Sequence, residues 1–279
     1  IIAVNKKDKM KPEQEQKIKE TLGAEDKRIL SVSAADGSGI AELKERIARL
    51  AQTEEPEKHI VRDLIEPSDL VVLVVPIDKA APKGRLILPQ QQTIRDILEA
   101  NAVSVVVKET ELKGTLERLG EKPKLVITDS QAFRKVSQDT PADILLTSFS
   151  ILFARYKGNL EAAVRGVTAL DRLEDGEGCT HHRQCDDIGT VKIPRWIKEY
   201  TGKEIRFETT SGTEFPDELG KYKLVVHCGG CMLNEREMKY RLACAQDQGV
   251  PMTNYGILIA QTQGILKRSV QVFPEIAKL

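Results

Sequence analysis

The sequence of 279 residues lacks the features of several common protein classes. Its longest apolar run lies within residues 69–77 and is too short to cross a bilayer, and no basic and apolar leader opens the chain. Lys plus Arg and Asp plus Glu both number 42, so the formal net charge of zero argues against nucleic acid or an anionic membrane as the main partner. These absences predict a soluble, cytoplasmic protein that binds neither.

Two further elements are missing. The chain opens with Ile1-Ile-Ala-Val-Asn5 instead of Met, which indicates the interior of a strand, so we expect that its front part is absent. No G-x-x-x-x-G-K-[ST] loop occurs in the chain. That loop supplies the backbone N–H groups, the lysine and the magnesium-binding hydroxyl that hold nucleotide phosphates. The chain as given is therefore not expected to hydrolyse a nucleoside triphosphate.

Alternating strand and helix patterns predict an α/β fold in three parts. Residues 1–52 have the pattern of strand, helix, strand and helix, and a polar linker with a proline follows. Residues 58–140 alternate again, with Val- and Leu-rich strands that indicate a small three-stranded parallel sheet covered by helices. Residues 141–279 form the third part, predicted to be largely helical over 142–173 and to contain a strand at 223–226.

Two elements of the first part match the base-recognition motifs of GTPases. Asn5-Lys-Lys-Asp8 fits N-K-x-D, whose Asp accepts hydrogen bonds from guanine and whose first Lys lies along the base. Residues 31–40 fit S-A-x-x-G-x-G-I, whose backbone N–H contacts guanine O6. A solvated charged turn is the simpler explanation of either motif alone, but their order favours the remnant of a P-loop GTPase fold. The predicted guanine-binding residues are Asn5, Lys6, Asp8, Ser33 and Ala34.

All five cysteines and three of the four histidines fall between residues 179 and 244. An odd cysteine count without a signal sequence argues against a disulfide framework and for a metal. The candidate ligands form two groups, Cys179-Thr-His181 and His227-Cys228-Gly-Gly-Cys231. Three cysteines suit a 4Fe-4S cluster with one open iron, whereas structural zinc needs a fourth ligand such as a histidine. The residues alone leave zinc and iron–sulfur open.

Two cysteines remain outside these groups. Cys244 lies in a predicted helix and is expected to be a core thiol, and Cys185 is the less favoured candidate ligand. The helix predicted after Cys231 begins near Asn234. Its free N–H groups and the positive end of its dipole would face the thiolates, which is a favourable arrangement.

The C-x-H … H-C-x-x-C pairing, behind a GTPase-like part and an α/β part, resembles HydF, the family of maturation GTPases of FeFe-hydrogenase. Four further phrases are similar to that family: Cys179-Thr-His-His182, Asp187-Ile-Gly-Thr190, Ile193-Pro-Arg-Trp196 and Pro251-Met-Thr-Asn-Tyr-Gly256. The resemblance covers the whole chain and departs only where the first GTPase motifs are missing. It implies the C-terminal part of a GTPase domain at 1–52, a dimerisation domain at 58–140 and a metal-cluster domain at 141–279.

The resemblance also implies a scaffold function. Cys179, Cys228 and Cys231 would ligate a 4Fe-4S cluster, and His181 and His227 would be a labile fourth ligand or hydrogen-bonding neighbours. A transient two-iron precursor, made with the radical-SAM enzymes HydE and HydG, would pass to the FeFe-hydrogenase apoprotein. GTP and Mg would act in the complete protein, as a homodimer or higher homo-oligomer. The alternative function is that of a zinc-stabilised adaptor domain of a GTPase.

Overall fold

The computed structural model describes residues 1–22, 29–51, 57–77, 86–183, 188–211, 214–229 and 233–279. The chain forms two compact units, Ile1–Glu57 and Lys58–Leu279. The described strands are β1 (Ile2–Val4), β2 (Ile29–Ser31), β3 (Leu70–Val74), β4 (Val103–Val107), β5 (Leu125–Thr128), β6 (Leu145–Ser148), β7 (Gly178–Arg183), β8 (Arg206–Ser211), β9 (Leu224–His227) and β10 (Met252–Asn254).

The α-helices surround these strands. In the described residues they are α1 (Pro12–Leu22), α2 (Ile40–Ala51), α3 (Leu88–Glu99), α4 (Leu112–Arg118), α5 (Phe133–Asp139), α6 (Phe149–Lys157), α7 (Leu160–Val167), α8 (Ile193–Thr201), α9 (Glu235–Asp247), α10 (Tyr255–Thr262) and α11 (Leu266–Ser269). All strand pairs in the described residues are parallel, so the predicted α/β class is confirmed. No helix in the described ranges is long and apolar enough to span a bilayer.

The first unit follows the elements predicted from its sequence. β1 and β2 pair in parallel, with Val4 opposite Ser31, and α1 and α2 follow the two strands. Because the carboxyl ends of parallel strands meet at one edge, the loops after β1 and β2 are neighbours. The two predicted base-recognition motifs lie in these loops.

The middle sheet has the order β4-β3-β5-β6. The prediction of three strands is wrong, because β6 adds a fourth in a segment predicted to be helical. β6 pairs residue by residue with β5, starting from Leu145 opposite Leu125, and extends the sheet past residue 140. β6 is Leu-Leu-Thr-Ser, and so short a segment cannot be assigned to strand or helix by periodicity alone, which explains the error. β3 and β5 are buried throughout, but Val103 and Val106 of the edge strand β4 are 49% and 45% exposed.

The C-terminal sheet has the order β10-β9-β7-β8. Only β9 was predicted, one residue displaced. β7 and β8 carry mostly polar residues, Gly-Cys-Thr-His-His-Arg and Arg-Phe-Glu-Thr-Thr-Ser, and β10 has three residues. Neither alternation nor an apolar run identifies such strands, so their pairing with neighbours decides their structure.

One hydrophobic core joins the two sheets. It contains Leu73 and Ile127 of the middle sheet, Leu224 and Val226 of the C-terminal sheet, and apolar side chains of α6, α7 and α10 between them. The outer face of the middle sheet is covered by apolar residues of α4 and α5. A smaller cluster, which includes Ala245 of α9, covers the outer face of the C-terminal sheet. Side chains of β9 therefore alternate between the shared core and α9.

Two charged side chains tie the start of the second unit to its helices. The buried carboxylate of Asp96 on α3 accepts hydrogen bonds from the backbone N–H groups of residues 60, 61 and 62, at 3.0, 2.7 and 2.8 Å. Arg155 on α6 forms a bidentate pair with Asp63, with both N–O distances 2.7 Å. It also donates to the carbonyls of His59 and Ile60, at 3.1 and 2.9 Å.

Candidate functional site

The two base-recognition motifs of the first unit lie together. Asp8 accepts a hydrogen bond of 2.6 Å from the Ser33 hydroxyl, and Asn5 Oδ1 accepts one of 3.1 Å from the backbone N–H of Ala34. Asn5 also accepts from the N–H of Lys6 at 2.8 Å, and Lys6 has a left-handed backbone with φ of 68°. These contacts fix the two loops against each other while the side chains of Asn5, Lys6 and Asp8 stay exposed.

Glycine is required at one position of the second motif. Gly39 has φ of +72°, and a Cβ there would lie 2.7 Å from the carbonyl oxygen of Ser31. Only glycine can therefore adopt this left-handed conformation so close to the Ser31 carbonyl. The exposed carboxylate of Asp8 is chemically suited to accept from the ring N–H and the amine of a purine, whereas the backbone N–H of Ala34 is bonded to Asn5 in this structure. Neither motif contains a phosphate-binding loop.

The second candidate site is the carboxyl edge of the C-terminal sheet. Cys228 directly follows β9, and Asn254, the last residue of β10, lies beside His227 in the register. α10 begins immediately after Asn254, whose side chain caps it, and α9 begins after the capping residue Asn234. Two helix N-termini thus follow strands that end at this edge, which is where ligands bind in parallel α/β sheets. Cys231, Cys185 and Asp187 lie outside the described residues.

Cys228 faces the shared core and is 5% exposed. It borders a cavity of about 40 Å³ that is also lined by Phe153, Lys157, Asn159 and Met238. The Lys157 ammonium donates to the carbonyl of Leu233 at 3.1 Å and lies 5.5 Å from the centroid of the Phe153 ring. The cavity takes water-sized groups, and it places a positive charge close to the edge that carries Cys228.

The structure does not bring Cys179 to this edge. Cys179 is the second residue of β7 and lies opposite Leu224 of β9, four residues before Cys228. At about 3.3 Å per residue, the two positions are separated by about 13 Å along the strands. A metal–thiolate bond is about 2.3 Å long, so thiolates this far apart do not share one small metal centre. In the described arrangement, Cys179 and Cys228 belong to different places on the sheet.

The environment of Cys179 is that of a core residue. Its side chain is fully buried, and burial, assisted by the negative charge of Glu177, raises the pKa of the thiol to about 12. Metal ligation needs the thiolate form. The backbone of His181 lies opposite Val226, but the placement of its side chain is outside what the structure describes. Across the described residues, no group of three or more His, Cys, Asp or Glu side chains forms a metal site.

His227 is fully buried and faces α9. Its Nδ1 lies 2.6 Å from the carbonyl oxygen of Cys228, and its Nε2 lies 3.0 Å from a terminal nitrogen of Arg241. Arg241 is itself fully buried, and its Nε donates to Glu237 at 2.7 Å. The guanidinium also stacks on Phe215, with 5.2 Å between its carbon and the ring centroid.

Sequence reasoning missed Arg241. Glu237 and Arg241 stand four residues apart on a helix, the spacing of an ordinary surface ion pair, so the sequence carries no signal for burial. Cys244, three residues further along α9, is partly buried and packs against the cluster behind β9.

Two family models match the second unit. Residues 60–158 match the hydrogen maturase F dimerization domain, and residues 161–272 match the hydrogen maturase F tetramerization domain. Together these matches span most of the chain, including every candidate metal ligand. No curated protein sequence matches it.

Solved structures offer only weak similarity. A fatty acyl CoA synthetase of Mycobacterium tuberculosis has 11% identity and a TM-score of 0.27, with 61% of this chain and 46% of that chain covered, so the chain spans less than half of its length. An NtrC family transcriptional regulator of Clostridium acetobutylicum has 12% identity, a TM-score of 0.22 and coverages of 72% and 97%. An ABC transporter solute-binding protein of Burkholderia multivorans has 10% identity and a TM-score of 0.23, with 77% of this chain and 93% of that chain covered. TM-scores this low do not indicate a shared fold.

Proposed function

Because the chain belongs to the hydrogen maturase F (HydF) family and is thereby involved in hydrogenase maturation, we propose that it holds a 4Fe-4S cluster at the carboxyl edge of its C-terminal sheet. The observation that carries the proposal is the position of Cys228 directly after β9, beside two strand ends that lead into helices. Free N–H groups at such helix starts favour the negative charge of a thiolate cluster.

The residues fit the cluster in part. Cys228 and Cys231 are separated by two residues, of which Gly229 leaves the backbone room to turn, and both would hold the cluster from one side. Cys179 is the third proposed ligand; it lies about 13 Å from the edge in the structure, so it would have to move out of the shared core to reach the other two. When bound, the cluster supplies one iron with an exchangeable position. The positive charge of Lys157 lies near this edge and favours an anionic group there.

Anaerobic reconstitution with iron and sulfide tests the proposal. We expect about four irons per chain, as in a 4Fe-4S protein, and an EPR signal after reduction. Cys228→Ser should abolish cluster binding, whereas Cys244→Ser, a matched thiol on α9 away from the edge, should retain it. Stoichiometric zinc, with no iron bound and no signal, would replace this proposal with the zinc-stabilised adaptor.

The second element of the proposal concerns the complete protein. The contacts of Asn5 and Asp8 with the loop at 33–34 support a guanine-binding role for this half of the pocket. In the complete cytoplasmic protein, GTP and Mg would gate the exchange of partners: the radical-SAM maturases HydE and HydG, which supply a two-iron precursor, and the FeFe-hydrogenase apoprotein, which receives it. Magnesium-dependent GTP hydrolysis by the present chain, which lacks the phosphate loop, would contradict this division of roles.

The matches to a dimerization domain and a tetramerization domain support a homo-oligomer. We place one contact between copies at β4, because it is one of the two edge strands of the middle sheet and leaves Val103 and Val106 about half exposed. Pairing between copies would satisfy the open edge and bury these valines. Val106→Lys should shift the light-scattering mass toward a smaller species, and Thr110→Lys, on the exposed segment just after β4, should not. An unchanged mass for Val106→Lys would remove β4 from the interface.

A further inference from the structure

His227 lies at the candidate metal edge and lines the same cavity as Cys228, yet its imidazole faces α9 and not the shared core. Val226 and Cys228 contribute to the shared core, whereas the His227 ring contacts Arg241 on α9. This follows from the alternation of side chains along β9. The histidine that directly precedes the ligand cysteine therefore points to the opposite face from the cysteine.

The hydrogen bonds fix the protonation of the ring. Arginine has five N–H donors and no acceptor, so the contact of 3.0 Å requires that His227 Nε2 accepts. A backbone carbonyl only accepts, so the contact of 2.6 Å requires that Nδ1–H donates to the oxygen of Cys228. The two contacts therefore place the ring proton on Nδ1. Both ring nitrogens thus form hydrogen bonds with other groups of the protein.

The arginine is held as firmly as the histidine. Its side chain has no exposure, and its charge is balanced by Glu237 and supported by the face of Phe215. If the His227 ring turned toward a metal, it would leave a buried guanidinium donor and the Cys228 carbonyl without these bonds, which is costly in the interior. The arrangement thus opposes the use of His227 as a ligand.

We propose that Arg241 is a positioning residue, which holds the His227 ring with its Nδ1–H toward the Cys228 carbonyl, so that His227 anchors this carbonyl and orients the backbone that carries the Cys228 thiol. His227 supports the cysteine ligands and does not bind iron. This inference rests on the proposed cluster function, and it decides between the two roles that the sequence left open for this histidine.

Replacements of His227 separate the two roles. His227→Gln keeps an acceptor for Arg241 and offers iron no imidazole, whereas His227→Leu removes the acceptor as well. We expect His227→Gln to retain iron and to keep the EPR spectrum and the nitrogen couplings of the parent protein. We expect His227→Leu and Arg241→Met to bind the cluster about 10-fold more weakly, as when a supporting residue of a metal site is lost. If His227→Gln changed the spectrum and removed a histidine nitrogen coupling, the inference would be overturned.

Two measurements keep the outcome clear. The double variant His227→Leu/Arg241→Met leaves no buried charge unpaired. If its thermal unfolding midpoint equals that of the parent protein but its cluster binding is weaker, the variant has lost the positioning of the ligand and not its folding. In the cluster-free protein, ¹⁵N NMR should find His227 as the Nδ1–H tautomer, and Arg241→Met should mix the tautomers. An Nε2–H tautomer in the parent would overturn the inference even without a cluster. Absence of iron in the reconstituted parent would instead overturn the proposed function.

Discussion

Cys179 and Cys228 lie on or beside neighbouring strands of one sheet, β7 and β9, and both pack toward the shared core, yet only Cys228 is at the carboxyl edge. Cys228 follows the last residue of its strand, next to a small cavity and a lysine. Cys179 is the second residue of its strand and is surrounded by core side chains. The comparison teaches that a motif identifies the type of ligand, whereas the strand register determines which ligands can meet.

The largest expected effect is on thiol reactivity. Burial raises the pKa of Cys179 from 9.0 to about 12, so its thiolate fraction near neutral pH is about 1,000-fold below that of an ordinary cysteine. Because the folded pKa is raised, this protection should weaken only as the pH rises toward 12. Mass spectrometry after timed alkylation of the cluster-free native protein measures it, with Cys244 as internal reference. Equal labelling of the two cysteines would contradict the buried position of Cys179.

The second effect tests whether the edge responds to general loss of stability. Asp96→Ala removes the acceptor of three buried N–H groups, and we expect the free energy of unfolding to fall by about 3 kcal/mol. Denaturant unfolding measures it, with Glu99→Ala on the exposed end of α3 as control. If the variant still folds and retains the cluster, losses in the Cys228 and Arg241 variants are specific to the site. A change below that of Glu99→Ala would show that the Asp96 contacts contribute little.

A third test sharpens the comparison at Cys179 itself. Cys179→Ser puts a hydroxyl into the shared core, which we expect to lower the free energy of unfolding of the cluster-free protein by about 1–3 kcal/mol. Cys179→Ala keeps the site apolar and should cost less. Iron analysis of both variants then shows whether Cys179 becomes a ligand when the cluster forms. If iron is lost in both, β7 rearranges on loading; if it is kept in both, Cys179 is a core residue only.

The smallest effect concerns the ion pair between Asp63 and Arg155. Partial burial acts to raise the pKa of Asp63, but the hydrogen bond and charge of Arg155 outweigh it, and the pKa lies below its usual 3.8. The pair therefore contributes stability above that pH, and the contribution is lost as the pH falls through the lowered folded value. Because Asp63 is partly exposed, Asp63→Asn should cost less than about 1 kcal/mol at pH 7. Unfolding at pH 7 and pH 3 measures it, and an equal difference at both would contradict this origin.

Much of the fold was predictable because it rests on local pattern. The Val- and Leu-rich β3 and β5 and the amphipathic α2 were all found from their sequences. β7 and β8 were not, because polar residues become strands there only through their neighbours. β6 was assigned to a helix for the same reason: its partner β5 defines it, not its own four residues.

For the candidate site, the sequence could suggest which residues are ligands but not where they lie relative to one another. The sequence named Cys179 and Cys228 together, but no sequence pattern could place Cys179 opposite Leu224, because the register is set by pairing across distant segments. The contacts of Asp8 with Ser33 and of Asn5 with Ala34 bring the two motif loops together, and guanine binding by these loops stays a prediction. Arg241 had no sequence signal at all, since burial depends on the packing of α9 over β9.

The core shared by the two sheets bears on how this protein can be divided. The two family matches meet between residues 158 and 161, but α6 and α7, on either side of that point, both contribute to one hydrophobic cluster. A segment excised at this point would expose apolar side chains of α7 and α10 that α6 normally covers. The dimerisation and tetramerisation segments thus match separate family models but fold as one unit. We expect that only both segments together can be fused to another chain and keep their fold.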